Sequence, residues 1–288
     1  MNIKAENLTL AYGKQKALHD VSFELNGEKI YGLLGRNGAG KTSLLSIIAS
    51  FREPTSGVLM IDGEVPFENA RIMQQVAFLY DKDYSKTPEN AKNILLDVER
   101  YRPHFDMEYA ESLLELFQID PKKPVKQFSK GMQSALNVAI GLASRAPITI
   151  FDEVYLGMDA PSRDKFYQAL LEEQEAHPRI FILSTHLVSE MDRLFDEVVI
   201  LKQGRVLLQE DYESLISKGA TLTGNANVID EFAKDKEPID TKQLGETKAV
   251  TIYGHLSEKE KAMLKSQGID ISPVSLQDLF IYLTEEDN

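Results

Sequence analysis

The sequence predicts an α/β fold: a mostly parallel sheet covered by helices, with a helical insertion and a small α+β domain after it. Three observations carry this. Short apolar runs such as PITIFD, RIFILST and EVVIL are separated by helical stretches, and strands alternating with helices form a covered, largely parallel sheet. A glycine-rich stretch, GRNGAGKTS, stands between an apolar run and a segment of helical spacing. After about Ser217 the pattern changes to ATLTGN and KAVTIYG as strands with three helical stretches among them. The chain has 288 residues, 43% of them hydrophobic, enough for one large domain or two ordinary ones.

Residues 1–34 alternate polar and apolar positions, which predicts two or three strands with a glycine-containing turn. SLLSIIASF after the glycine-rich stretch has helical spacing. EPTSGVLMIDG reads as turn, short strand, turn, and QVAFLY as another strand. From Lys82 to Ser144 the apolar residues of ENAKNILLDVERYR, DMEYAESLLELFQI and SKGMQSALNVAIGLAS repeat at helical period, the predicted insertion. Strand signals return in PITIFD, RIFILST, EVVIL and RVLLQ, with helices between the first three. The expected division is residues 1–216 for the first domain, its helical part about 82–144, and 217–288 for a C-terminal α+β domain with VIDEFAKD, SEKEKAMLKSQ and SLQDLFIYLTEE as helices. Nothing in that second domain's sequence points to a ligand pocket.

Composition excludes several classes. There are no cysteines, so disulfides, thiolate catalysis and cysteine-held metal sites are out. The five histidines show no metal-binding spacing. A net charge of −13 argues against a broad nucleic-acid footprint, which needs a basic face. No apolar stretch reaches the ~18 residues that span a bilayer, and MNIKAENLTLAYG lacks the apolar run of a signal peptide, so a cytoplasmic chain is expected.

GRNGAGKT, Gly35 to Thr42, fits G-x-x-x-x-G-K-[ST] with a strand before it and a helix after it. Gly35, Asn37, Gly38, Ala39, Gly40, Lys41, Thr42 and Ser43 are therefore candidate phosphate-binding residues. Glycines let backbone N–H groups wrap a phosphate, and the helix N-terminus adds a favourable dipole. Lys41 is placed to reach the terminal phosphates and the Thr42 hydroxyl to bind Mg2+. The alternative is a glycine-rich turn that only caps a helix. Such a loop needs a second acid for the metal, at the end of a buried strand expected to lie beside the loop's strand. Asp152, closing PITIFD, fits that place, and the adjacent Glu153 can polarise an attacking water. Together these residues predict a P-loop NTPase.

The remaining features, in order, resemble the ABC ATPase family over residues 1 to about 216. FSKGM, Phe128 to Met132, stands 23 residues before Asp152, counted from Ser129, where the family has LSGGQ. The resemblance implies an antiparallel β subdomain, a helical subdomain, and a nucleotide held between the P-loop of one ATPase subunit and the signature of another. It implies that Tyr12 stacks on adenine, that Ser129 caps its helix and donates to the γ-phosphate, that Gly131 is the position of close approach to the nucleotide, that Asp159 in LGMDA crosses to the partner, and that His186, ending ILSTH, contacts the γ-phosphate. Tyr12, the FSKGM stretch and His186 have plainer alternatives: a core tyrosine, a capped helix, a solvated or core histidine. Two family positions differ. Lys130 and Met132 replace Gly and Gln in the signature, and FLYDKDY offers Asp81 where the family has Gln or Glu, making Asp81 a candidate metal ligand beside Thr42 and Asp152. Val154 replaces a proline after the two acids.

The resemblance further implies an ATPase using ATP and Mg2+, with membrane-spanning permease subunits as separate chains, a second ATPase subunit (a copy or a sister chain), and a place on the inner face of the cell membrane reached through those partners. The segment from Lys82 to about Gln127 would dock the permease, with Tyr84, Tyr101 and Phe105 as candidates, the alternative for each being a core residue. A single cassette with a short α+β tail resembles bacterial drug and peptide exporters. A non-transport ABC ATPase acting on ribosomes or DNA, or in regulation, is the alternative. GTPases are excluded by the absence of a guanine-reading NKxD.

Overall fold

The structure is a computed structural model describing residues 1–285 apart from Asp235, Glu237 and His255. Asp235 and Glu286, the last residues of two stretches read as helical, thus lie outside the described residues. The chain divides into two compact units, 1–186 with 199–209, and 187–198 with 210–288.

The first unit opens with an antiparallel sheet. β1 (Asn2–Tyr12) pairs with β2 (Gln15–Asn26) on one side and, across its other edge, with β4 (Ser56–Ile61). Alternation sends Leu8, Leu10, Val21, Phe23 and Leu25 inward. Between β2 and β4 the chain forms β3 (Ile30–Leu34), all five residues buried, and α1 (Lys41–Ile48). Leu44, Leu45, Ile47 and Ile48 are each at most 2% exposed, and each contributes about 1.5–3 kcal/mol by that burial. They join both sheets into one core with Phe23, Leu33, Ile182 and Val199.

After β4 come the one-turn α2 (Ala70–Met73), capped by Asn69, and β5 (Val76–Tyr80). Then follow α3 (Ala91–Tyr101), α4 (Met107–Leu116) and α5 (Lys130–Ala143), with the side chains of Asn90, Asp106 and Ser129 accepting from the N–H three residues on. β6 (Ile148–Asp152), α6 (Ala160–Ala176), β7 (Ile180–Thr185), α7 (Val188–Met191), β8 (Glu197–Lys202) and β9 (Arg205–Asp211) complete the main sheet. Its order is β5-β6-β7-β3-β8-β9, with β5, β6, β7 and β3 parallel in register. Here the expectation for the acid-bearing strand fails: β7 lies between β6 and β3. Linear order cannot fix which crossover inserts a strand between two others.

The second unit continues through α8 (Tyr212–Ser217), β10 (Gly219–Asn225), α9 (Ala226–Ala233), β11 (Pro238–Leu244), β12 (Thr247–Tyr253), α10 (Glu258–Ser266), β13 (Asp270–Pro273) and α11 (Leu276–Thr284). Its four-stranded antiparallel sheet runs β11-β12-β10-β13 over a core of Leu222, Ile229, Val250, Ile252 and Leu264. This unit has a cavity of about 290 Å3, its wall including Ile216, Leu256, Ile271, Lys261 and Lys265. Among the described residues no helix is long and apolar enough to cross a membrane.

Candidate functional site

The glycine-rich loop joins β3 to α1. Gly40 takes φ 106° and stands at the helix N-cap, with no side-chain acceptor for the first N–H groups. A Cβ there would fall 2.8 Å from the Ala17 carbonyl oxygen, so glycine is needed for space as well as for φ. The first N–H groups of a helix have no partner within it, which leaves this end open to an anion. Asn37, Gly38, Ala39, Gly40, Lys41, Thr42 and Ser43 line a cavity of about 500 Å3 together with Glu153. Gly35 lies buried at its root, where a Cβ would meet Ala39 and the Leu201 carbonyl, each at 2.9 Å.

Lys41 is only 7% exposed and donates to the Gly35 carbonyl at 2.7 Å, with Glu153 Oε1 at 3.3 Å. The same Glu153 oxygen lies 3.0 Å from His186 Nδ1. Glu153 follows β6 directly and takes φ 54°, ψ 21°, a left-handed conformation uncommon outside glycine. Its neighbour Asp152 ends β6 at 7% exposure and accepts from the Ser184 hydroxyl of β7, its register partner. Adjacency thus sends the two acids different ways: Asp152 stays with the strand, while the left-handed step aims Glu153 at Lys41 and His186. Thr42, exposed on the first turn of α1, and Asp152 are hard oxygen donors that suit Mg2+, which takes one or two carboxylates plus phosphate oxygens and water.

Tyr12, at the end of β1, is 43% exposed and no core residue; its hydroxyl is 3.4 Å from Ser43 Oγ and Arg52 sits 4.8 Å from its ring centre. Ser129 caps α5 by accepting from the Met132 N–H at 3.3 Å. Gly131 is a position of close approach within the chain itself, since a Cβ would lie 3.1 Å from the Gly157 carbonyl. Asp159 caps α6, accepting from the Ser162 N–H at 3.0 Å; hydrogen bonds from the Ser162 side chain and N–H hold its carboxyl below the usual range. Asp81 is ion-paired with Lys130. Two docking expectations change. Tyr84 is buried and donates to Asn137 at 2.7 Å, and burial pushes its phenol up to about 12, while Phe105 is half-buried. Tyr101 is exposed.

Sequence reading missed one wall of the cavity, formed by Gln15, Lys16, Ala17, His19, Gln203 and Gly204. The His19 N–H donates to the Gly204 carbonyl at 2.7 Å, tying β2 to the turn between β8 and β9. Nothing in the local sequence announces a contact between segments so far apart. Ser184 was missed too, although it stands two residues before His186 in the STH stretch.

A family model described as ABC transporter matches residues 18–155. The bacitracin transport ATP-binding protein BcrA of Bacillus licheniformis is 29% identical over 98% of this chain and 96% of its own length. The ABC transporter ATP-binding protein NatA of Bacillus subtilis is 30% identical over 69% of this chain and 84% of its own. The Nod factor export ATP-binding protein I of Sinorhizobium fredii is 26% identical over 98% of this chain and 85% of its own. Among solved structures, the dimeric bacterial ABC transporter cassette MJ0796 superposes with a TM-score of 0.62 at 23% identity, covering 73% of this chain and 98% of that one.

Proposed function

The chain belongs to the ABC transporter ATP-binding proteins, a family of ATPases, and from that premise we propose that it powers export through separate membrane subunits by hydrolysing MgATP at sites shared between two ATPase subunits. The convergence of Lys41 and His186 on one Glu153 carboxylate oxygen supports this most directly. Export is favoured by the full-length likeness to a Nod factor export protein and a bacitracin transport protein. A shared site is favoured by the likeness to a dimeric cassette.

The chain's residues divide the work as follows. The backbone of 37–41 and the dipole of α1 cradle the phosphates. Lys41 exchanges the Gly35 carbonyl and Glu153 for phosphate oxygens, which frees Glu153. Glu153 then accepts a proton from the attacking water, and His186, already hydrogen-bonded to it, orients the carboxylate. Thr42 and Asp152 would hold Mg2+, with Ser184 fixing the Asp152 carboxylate. The bound ion supplies charge neutralisation along the phosphates. Asp81 is left out of that set because its carboxylate is on Lys130. Tyr12 offers a ring to adenine, and Ser129, Gly131 and Asp159 face the nucleotide of the opposite subunit. The cavity's Lys16 is a further cation beside the loop.

The test is the mass in solution of the Glu153→Gln protein with and without MgATP. The expected result is a monomer that becomes a dimer only with MgATP, and turnover at least ~100-fold below wild type, as loss of a general base requires. Turnover within a few-fold of wild type would remove Glu153 from the role. A protein that co-purifies with nucleic acid through high salt would favour the non-transport alternative.

A further inference from the structure

The cavity of about 290 Å3 in the C-terminal unit has two kinds of wall. Half-buried Ile216, at the end of α8, and half-buried Ile271, on β13, join buried Leu256 in an apolar floor. Lys261 and Lys265 stand one turn apart on the same face of α10 and also line it. Among the described residues no acidic side chain lines the cavity, although the whole chain carries −13. Lys261 is paired at 2.8 Å with Glu258, whose side chain is 87% exposed, and such pairs are weak. Lys265 makes no ion pair among the described residues. The backbone keeps part of the wall bare. Gly254 takes φ 137°, a conformation that suits glycine, and a Cβ there would meet nothing within 4 Å. Its N–H donates to the Lys218 carbonyl at 2.6 Å, which ties the residue after β12 to the residue before β10.

We infer that this cavity binds a small amphipathic anion: an acyl carboxylate whose tail lies on Ile216, Leu256 and Ile271 and whose head reaches the ammonium groups of Lys261 and Lys265. An apolar floor open to water favours a ligand that covers it. A carboxylate pressed onto that floor would lose hydration without return, so it stays at the edge where the lysines are. Their flexible stems let two ammonium groups meet one carboxylate as point charges. Volume sets the size. About 290 Å3 lies just below the range of pockets for drug-sized molecules, which favours one short chain over a two-chain lipid. Inorganic phosphate would satisfy the lysines and leave the floor wet; a neutral chain would do the reverse. The site lies wholly within the C-terminal unit and does not depend on the ATPase reading of the first.

The probe is hexanoate, titrated into the full chain by calorimetry, with hexanamide as the same tail on a neutral head of the same shape. Hexanoate should bind with a dissociation constant of about 1 mM or below, and hexanamide at least about tenfold more weakly. Lys261→Gln and Lys265→Gln should each weaken hexanoate by about threefold or more and leave hexanamide unchanged, whereas Lys4→Gln, on β1, should change neither. Melting temperatures measured alongside check that each variant folds. Amide exchange should slow with hexanoate in residues 216–220 and 261–273. Equal binding of hexanoate and hexanamide, or hexanoate binding indifferent to both lysine variants, would remove recognition of the charge and overturn the inference. Slowed exchange confined to other segments would put hexanoate elsewhere and overturn it as well. So would the absence of binding at about 10 mM hexanoate, where a site of this affinity is nearly full.

Discussion

Tyr12 and Glu153 show what single side chains contribute here. Tyr12 has Arg52 near its ring and Ser43 near its hydroxyl, so it borders the phosphate loop without being packed away. Replacing it with alanine should weaken ATP binding by about 1 kcal/mol, roughly fivefold in dissociation constant, through lost stacking. Titration calorimetry of wild type and Tyr12→Ala decides it, and an unchanged affinity would leave Tyr12 a structural residue only. Glu153 shows how far sequence carries. Its candidacy as a general base was legible from the DE pair behind a buried strand. Its left-handed φ was not, nor was the single oxygen shared by Lys41 and His186, because those distances depend on three separate strands ending at one height. The pairing of Asp81 with Lys130 was equally hidden: each residue was visible as a departure from the family pattern, but 49 positions apart nothing local joins them.

Elements with strong periodicity were legible and weak ones were not. The three helices from α3 to α5 follow from their apolar spacing, and each start is marked by Asn90, Asp106 or Ser129. β11 and β13 escaped. Both are edge strands: PIDTKQL is mostly exposed and carries charge, and DISP has four residues ending in proline, so neither shows the alternation of a half-buried strand. α10 was legible and carries a measurable consequence. Its N-cap Ser257 and Glu260 form a capping box, and hydrogen bonds from the Ser257 hydroxyl and N–H, joined by Lys236, lower Glu260 from its usual 4.5 to about 2. A carboxyl depressed in the folded state stabilises fully above its unfolded value and loses that contribution as pH falls through the folded one. The C-terminal unit should therefore lose stability between about pH 4.5 and about pH 2 by an amount absent from Glu260→Gln. Amide exchange in α10 across that range reads it, and identical profiles for the two proteins would show that the box contributes nothing.

Across the whole molecule the dominant fact is charge. Each chain carries −13, so two chains meeting head on repel at distances beyond the reach of their specific contacts. Salt shortens that reach to roughly 8 Å at physiological ionic strength. The association rate of MgATP-loaded Glu153→Gln protein should therefore rise with added salt, the reverse of a pair steered by complementary charges. Stopped-flow light scattering over a salt series measures it, and a falling rate would mean that local attraction outweighs the net charge.

The division of the chain into two units has a different kind of consequence. His186 ends the long segment of the first unit, and Leu187 already belongs to the second; the chain returns for 199–209 and then departs for good. Within the second unit α7 packs against α11, drawn from opposite ends of that unit's sequence. The C-terminal region is therefore not a cassette of genetic information that a stop codon or a recombination event can remove cleanly. A gene ending at codon 209 would still encode residues 187–198, now translated without the partners they fold against and placed between His186 and the rest of β8. Inheritance has to treat the two stretches as one unit of variation: a tail exchanged between genes brings its own α11 to another lineage's α7.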